Sequence, residues 1–325
     1  MSIAMRELIL YGCANPGYDD EDLAIGGAID KSKKLTFVDI AAAVCAVSEN
    51  AGDTTQDVTI TYRDSGGNIC TQAKTLTGQT PVNFTGTPER LIRAVKSATC
   101  AGAVAVQGQS AEHSGTSTAG TTSQITLQNT ASAVDQAYRG MILRTTGGTG
   151  PNQIVEVLDY IGATKVAIVG PAFATPPSSD TTYTVGKGFF LEKSPNEILD
   201  IYRPCAQAYS ALPGGAAKKY YEKFFWWNNH ASLALTESTI SEDSDPDAVW
   251  AFALEAALDG VTTNGGGNNR QVAPAGTFNS AAKNVANGQS LTAQTAQPGW
   301  LELSVAADLA ALKTTVRLKL LGKTV

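Results

Sequence analysis

Hydrophobic and polar residues alternate over short stretches of the chain, and turn-forming residues separate these stretches. In DVTITYRDSGGNICTQAKTL, Val58, Ile60 and Tyr62 alternate with polar residues, and Ile69 follows across SGGN. A period of two indicates half-buried strands, and a glycine-containing connection of this length is typical of a hairpin. LIRAVKSA is short and follows Pro88, which favours a strand over a helix. The pattern predicts an N-terminal β-sandwich over residues 1–107.

The composition changes in residues 108–124, which are rich in glycine, serine and threonine and have almost no apolar side chains. Such a composition is typical of a flexible linker or a long loop. From residue 125 the chain returns to short alternating segments separated by turns such as GGTGPN. We therefore predict a Gly/Ser/Thr linker over 108–124 and a small β-barrel or sandwich module over 125–188.

A helix or an extended crossover is predicted after this module. Ser194 suits an N-cap, Pro195 suits the first helical position, and Glu197 lies three residues after Ser194, while Pro204 would end the helix. We predict a connector with a short helix over 189–216.

The last third of the chain alternates again. Leu301, Leu303 and Val305 alternate with Glu302 and Ser304, which indicates a half-buried antiparallel sheet. We predict a second β-sandwich over residues 217–325. The predicted fold class is therefore all-β and multi-domain, with two β-sandwich domains flanking a small β-barrel-like module.

Composition narrows the class of protein. No apolar run approaches the roughly 20 residues that a membrane span requires, so no membrane partner is expected. The N-terminus lacks the pattern of a signal peptide, which favours synthesis in a cytoplasm. The net charge of −6 is mild. The most basic segment, PERLIRAVK, spreads its charges along one short element, so we do not expect nucleic-acid contact.

Candidate chemistry is sparse. The two histidines are His113, within the predicted linker, and His230, after WWNN; we interpret them as a solvated loop residue and a strand-end or turn residue. The motifs GxSxG, GxxxxGK[ST] and HExxH are absent. We therefore predict a protein that is not an enzyme, with no catalytic residue, cofactor or metal.

One acidic stretch deserves comparison with a calcium loop. Asp243, Asp245 and Asp247 have the spacing of its first three ligands, but Ala248 replaces the required glycine and Leu254 the closing glutamate. A solvated β-turn is the better interpretation.

The five cysteines are widely scattered, without a CxxC pair. They either lie buried as free thiols or form disulfides between subunits after release into an oxidising medium. The candidates for such disulfides are Cys13, Cys45, Cys70, Cys100 and Cys205.

Aromatic residues concentrate in the segment KKYYEKFFWWNNH. Adjacent residues of a strand face opposite sides, so one sandwich interior cannot contain all of these rings. The second face packs either on the preceding ALPGGAA segment or middle module, or on a partner. The candidate interface residues are Tyr220, Phe224, Phe225, Trp226 and Trp227.

Residues 125–185, from ITLQNTASAVDQAYRGMILRTTGGTGPNQ to SSDTTYTV, resemble a segment of many tailed-phage virion proteins. The stretch from YYEKFFWWNNHASLALTES to the end of the chain resembles the closing β-domain of such proteins. The resemblance implies a virion structural protein whose partners are copies of itself and other virion proteins of the neck, portal, tail or capsid. It implies no catalytic residue.

The leading functional hypothesis is a virion component that assembles in multiple copies at the neck or collar and joins or reinforces head and tail parts. Capsid decoration and a tail-tip position are the alternatives. A glycan- or receptor-binding β-module is a second class, because Trp226, Trp227, Trp250 and Trp300 could stack on sugar rings. A hydrolase is a third, with carboxylates available at Glu222, Glu237, Glu242 and Asp243.

Overall fold

The computed structural model describes residues 3, 7–16, 24–35, 40–66, 68–193, 217–264, 269–307 and 316–324. The chain divides into two compact units. We call Met1–Phe37 with Tyr202–Val325 the terminal unit, and Val38–Ile201 the inserted unit. Strands dominate both units, which confirms an all-β, multi-domain fold.

The strands are numbered in chain order. The terminal unit begins with β1 (Leu8–Asn15) and β2 (Ile25–Lys34). The inserted unit contains β3 (Val44–Ser48), β4 (Asp57–Arg63), β5 (Ile69–Thr75), β6 (Val82–Asn83), β7 (Arg90–Lys96), β8 (Val104–Gly108), β9 (His113–Thr116), β10 (Ala119–Gly120), β11 (Gln124–Thr126), β12 (Ile142–Gly147), β13 (Ile154–Ile161), β14 (Val166–Gly170), β15 (Thr182–Gly186) and β16 (Gly188–Leu191).

The terminal unit then continues with β17 (Lys218–Asn228), β18 (Leu235–Ser244), β19 (Trp250–Leu254), β20 (Thr263–Asn264), β21 (Lys283–Asn284), β22 (Ala296–Val305) and β23 (Arg317–Thr324). Between these strands lie a 3-10 turn at Asn269–Gln271 and the short helical turn α1 (Ala286–Gln289). Within the described residues, no helix has the length and apolar character needed to cross a membrane.

The first part of the inserted unit is a β-sandwich. One sheet has the order β16-β8-β3-β6 and the other the order β5-β4-β7. β4 and β5 pair in unbroken register from Asp57–Thr75 to Arg63–Ile69, which confirms the predicted hairpin. The strand predicted at LIRAVKSA is β7. Val58, Ile60 and Tyr62 point into the apolar core between the sheets, as their alternation predicts.

The second part of the inserted unit is a strongly curved sheet with the order β10-β11-β14-β13-β12-β15-β9. Its edge strands β9 and β10 are consecutive parts of one segment, residues 113–120, which pairs with β15 at its start and with β11 at its end. The sheet therefore curls toward closure as a barrel-like module around an apolar core. We call residues 113–186 the barrel.

The predicted linker over 108–124 is wrong, because most of this segment is part of the barrel. β9, β10 and part of β11 lie in that segment, so the barrel begins before residue 125. Strands pair through backbone groups, so small polar side chains at partly exposed positions are compatible with a strand. The same side chains are typical of a linker, and composition alone does not distinguish the two.

The terminal unit consists of a six-stranded sheet with the order β19-β22-β17-β1-β2-β20 and a three-stranded sheet with the order β21-β18-β23. β1 pairs with β17 from Leu8–Asn228 to Tyr11–Phe225. The predicted N-terminal sandwich over 1–107 is therefore corrected, because its first 37 residues belong with the C-terminal strands. The partner strand of β1 lies far along the chain, so the local sequence pattern does not predict this pairing.

The predicted connector over 189–216 begins as a strand, since β16 pairs with β8 from Gly188–Gln107 to Leu191–Val104. The predicted helix from Ser194 to Pro204 lies outside the described residues, as does Cys205.

Candidate functional site

The aromatic strand β17 lies inside the six-stranded sheet, between β22 and β1. On one face Tyr220 and Phe224 belong to the main core of the terminal unit. On the other face Phe225 and Trp227 pack with Cys13 of β1 and Ala296 of β22. Both faces of the strand are thus covered by the terminal unit itself.

The candidate interface set is corrected accordingly. Tyr220, Phe224, Phe225 and Trp227 are at most 6% exposed, and Trp226 is half-buried. The structure does not bring them together at an exposed surface. Sequence reasoning missed that two strands from the start of the chain complete this sheet, so that rings on both faces become core residues.

The tryptophans considered for stacking on sugars are also largely internal. Trp227, Trp250 and Trp300 are buried. The Trp300 ring packs directly against Gly26, where a Cβ atom would lie 2.7 Å from the ring, and Gly26 has a φ of +97° that favours glycine. These three rings have no open face for a saccharide.

Lys223 is the most unusual ionisable residue of the sheet, because its side chain is fully buried. Its Nζ lies 2.8 Å from Glu255 Oε1 and donates to the carbonyl oxygens of Gly260 and Thr262, each at 3.0 Å. Trp300 Nε1 donates to the same Glu255 oxygen at 2.9 Å. Burial lowers the pKa of Lys223, and Glu255 opposes that shift.

The hydrogen-bonding capacity of the Lys223 ammonium group is fully used within the chain. An ammonium group has three donors, and Lys223 directs its donors to three acceptors of the chain. It therefore has no donor left for a substrate. Its evident role is to bind the segment 255–262 to the sheet.

Two further buried carboxylates are neutralised in the same region. Tyr221 donates to Glu302 Oε2 at 2.8 Å, and Lys219 Nζ lies 2.8 Å from Glu302 Oε1. Burial, followed by the hydrogen bond to Glu302, raises the pKa of Tyr221. Glu222 lies 3.4 Å from the Arg270 guanidinium, and both side chains are almost fully buried. Glu222, considered for a hydrolase, is therefore half of an internal ion pair.

The other carboxylates considered for chemistry lie on and beside β18. Asp243 lies 3.2 Å from Lys319 Nζ and 3.5 Å from Arg317, and Glu237 lies 2.6 Å from Lys323 Nζ. Glu242 has a pKa raised by burial and then by Asp245.

The stretch compared with a calcium loop forms a turn. Asp245 accepts hydrogen bonds from Ala248 N through its carbonyl oxygen and from Trp250 N through its side chain. The predicted turn is confirmed. Among the described residues, no group of three or more His, Cys, Asp or Glu side chains is arranged to hold a metal ion.

The two histidines lie in different kinds of local structure, His113 in a strand and His230 in a turn. His113 lies in β9 and not in a solvated loop; its Nδ1 is 3.2 Å from the Tyr183 hydroxyl and its Nε2 is 3.3 Å from Thr130 Oγ1. Burial lowers the pKa of His113. His230 is a turn residue, as predicted, whose Nδ1 accepts hydrogen bonds from Ser232 N and Leu233 N.

The four cysteines in the described part of the chain are free thiols. Cys13, Cys45 and Cys100 are buried, and burial raises the pKa of Cys13 to about 12 and the pKa values of the other two. A high pKa suppresses the reactive thiolate. Cys70 is half-buried, with its thiol directed to Asp64 Oδ2 at 3.7 Å. Of these four, Cys70 is the best placed to react with another subunit.

A surface that sequence reasoning missed lies along β5. This strand is at the end of the β5-β4-β7 sheet, and its residues alternate between exposed and half-buried. We call its exposed residues Ile69, Thr71, Ala73 and Thr75 the β5 edge. The hairpin pattern is visible in the sequence, but the position of β5 at the edge follows only from the strand order.

Comparison of the chain with protein-family models, with curated proteins and with solved structures gave no match in any of the three.

Proposed function

We propose that the chain is a structural subunit of a tailed-phage virion that assembles in multiple copies, with the neck or collar as its leading position. Its partners there are copies of itself and the neighbouring portal, tail or capsid proteins. The proposed activity is mechanical: the subunit joins or reinforces head and tail parts.

The observation that carries this proposal is the agreement between the barrel and the segment resembling tailed-phage virion proteins. The resembling residues 125–185 supply β11 through β15, which form a continuous curved sheet around their own apolar core. The resemblance therefore corresponds to a folded module and not to scattered similar residues.

Two features of the fold support a mechanical role. The buried charges of the six-stranded sheet are paired within the chain, as at Lys223 with Glu255 and at Arg270 with Glu222. Both pairs connect separate segments of the described chain. The exposed β5 edge, in turn, offers a surface for assembly.

The test is immunogold labelling of virions of the phage that encodes the chain, with antibodies raised against the purified protein. We expect gold at the junction of head and tail. Label over the capsid surface or at the tail tip would overturn the neck position and keep the structural role. Unlabelled virions from lysates that contain the protein would overturn the structural role itself.

The assembly state of the purified chain provides a second test. We expect defined oligomers in mass photometry. Their loss on adding reductant would show that cysteines join the subunits, with Cys70 as the first residue to replace by serine.

A further inference from the structure

The free edge of β5 carries a regular row of backbone donors and acceptors. Leu76 N bonds to Gln56 O at 2.9 Å, and Asp64 N bonds to Asn68 O at 3.0 Å, so hydrogen-bonded pairs with β4 fall at the even positions of β5. In an antiparallel pair the intervening residues direct their N–H and C=O groups away from the partner. These are the residues of the β5 edge. No described strand pairs with them on that side.

The exposed side chains of this edge do not protect it against pairing, and the one charged residue of β5, Lys74, lies on the opposite, half-buried face of the strand. Ile69 is 52% exposed, and all four residues of the β5 edge are uncharged. Proteins usually protect free edges with charges, prolines or bulges. The edge strand β23 shows such protection, because it carries Arg317, Lys319 and Lys323. Two copies of β23 would bring these like charges together, whereas two copies of β5 would not.

We infer that β5 pairs antiparallel with β5 of a second copy of the chain, joining the two three-stranded sheets across a twofold axis. The inference rests on the proposed self-assembly and names one of its contacts. With the axis at Gln72, Ile69 lies opposite Thr75 of the second copy and Thr71 opposite Ala73 of the second copy. This register overlaps the whole strand and forms about eight backbone hydrogen bonds.

The charges near this edge fit the same register. Asp57 is paired with Thr75, and Arg63 with Ile69, at opposite ends of the β4–β5 hairpin. At each end of the joined strands, Asp57 of one copy therefore lies in line with Arg63 of the other copy. Three strand spacings, about 14 Å, separate these two residues. No like charges face each other, and β-branched residues at the contact favour strand pairing. A second copy of this chain is thus a matching partner for the edge.

The experiment compares two double variants that differ only in charge pattern. In T71K/A73K, a lysine faces a lysine of the other copy at both symmetric positions, and we expect dimerisation to weaken by roughly tenfold or more. In T71K/A73E, each lysine faces a glutamate, and we expect dimerisation close to wild type. Sedimentation velocity over a concentration series measures the dimer dissociation constant of each protein.

A third variant controls for charge on the same face of the sheet. Thr59 lies on β4, beside Ala73 and one strand away from the edge, so T59K should dimerise like wild type. Equal far-UV circular dichroism and thermal midpoints would show that all variants fold.

Three outcomes would overturn the inference: a wild-type monomer at every concentration, T71K/A73K dimerising like wild type, or equal loss in both double variants. Oligomers that persist in T71K/A73K would leave the proposed virion role standing, because they would show another contact. Immunogold labelling decides that role separately.

Discussion

The barrel and the six-stranded sheet stabilise their polar groups in different ways. The barrel interior contains neutral tyrosines, such as Tyr160, which donates to Ser132 O at 2.7 Å, and Tyr183, which accepts from Gln128 N at 2.9 Å. The six-stranded sheet buries full charges, with Lys223 bound to Glu255 and two carbonyl oxygens. Burying a charge costs far more than burying a hydroxyl unless every partner is in place.

The difference concerns what each region requires to stay folded. Loss of one hydroxyl in the barrel leaves a neutral backbone group unsatisfied, whereas loss of one ion in the sheet leaves a charge in an apolar interior. The two regions can be observed separately, because all four tryptophans lie in the terminal unit. Tryptophan fluorescence therefore reports the sheet, and circular dichroism also reports the barrel.

The largest expected effect comes from Lys223→Met. This change leaves the Glu255 carboxylate, whose side chain is only 10% exposed, without its cation, and we expect the terminal unit to lose about 3–5 kcal/mol of unfolding free energy. Urea denaturation followed by tryptophan fluorescence measures it. Lys323→Met removes one member of an ion pair whose side chains are 70% and 64% exposed; it is the control and should cost at most about 1 kcal/mol.

The pairing of Lys223 with Glu255 can also be tested directly. Adding Glu255→Gln to Lys223→Met removes the unpaired charge and keeps an acceptor for Trp300 Nε1, so the double variant should be more stable than the single one. A loss below about 1 kcal/mol for Lys223→Met alone would contradict the assigned role of this cluster.

A smaller effect is expected in the barrel from Tyr183→Phe. The substitution leaves the Gln128 N–H without its acceptor, which should cost about 1–2 kcal/mol. The loss should be seen in circular dichroism, while the tryptophan transition stays at its wild-type midpoint.

Alkaline titration tests the same hydroxyl. Burial raises the pKa of Tyr183 from 10.0 to about 12. Between these values the unfolded chain has lost a proton that the folded barrel keeps, so barrel stability is full below pH 10 and falls as pH rises toward 12. Tyr183→Phe should show a shallower fall, and an unchanged slope would argue against this assignment.

The smallest effect concerns His113. Burial lowers its pKa from 6.5, so the folded barrel binds fewer protons than the unfolded chain below that pH. Barrel stability is therefore full above pH 6.5 and decreases as pH falls toward the folded pKa. His113→Gln should remove this part of the pH dependence, and Gln preserves polar contact with Thr130 and Tyr183. An identical pH profile for this variant would exclude a contribution from His113.

The sequence predicts local elements well and distant pairings poorly. Alternation of Val58, Ile60 and Tyr62 identified the β4–β5 hairpin, because neighbouring segments pair across a short turn. The same alternation cannot show that β1 pairs with β17, and without that pairing the aromatic residues of β17 look like a surface. The ion pair between Lys223 and Glu255 could not be predicted either, since each residue looks like an ordinary surface charge in the sequence.

The pairing of β1 with β17 also affects how the chain emerges from a ribosome. β1 and β2 are made before the inserted unit, and β17 is made after it. At about 5–20 residues per second, translation from the end of β2 to the end of β17 takes roughly 10–40 s. A two-stranded hairpin alone is marginally stable in water, so β1 and β2 lack a stable fold during this interval, whereas the inserted unit can already fold. The two strands that are translated before the inserted unit therefore complete their sheet only after that unit has been made.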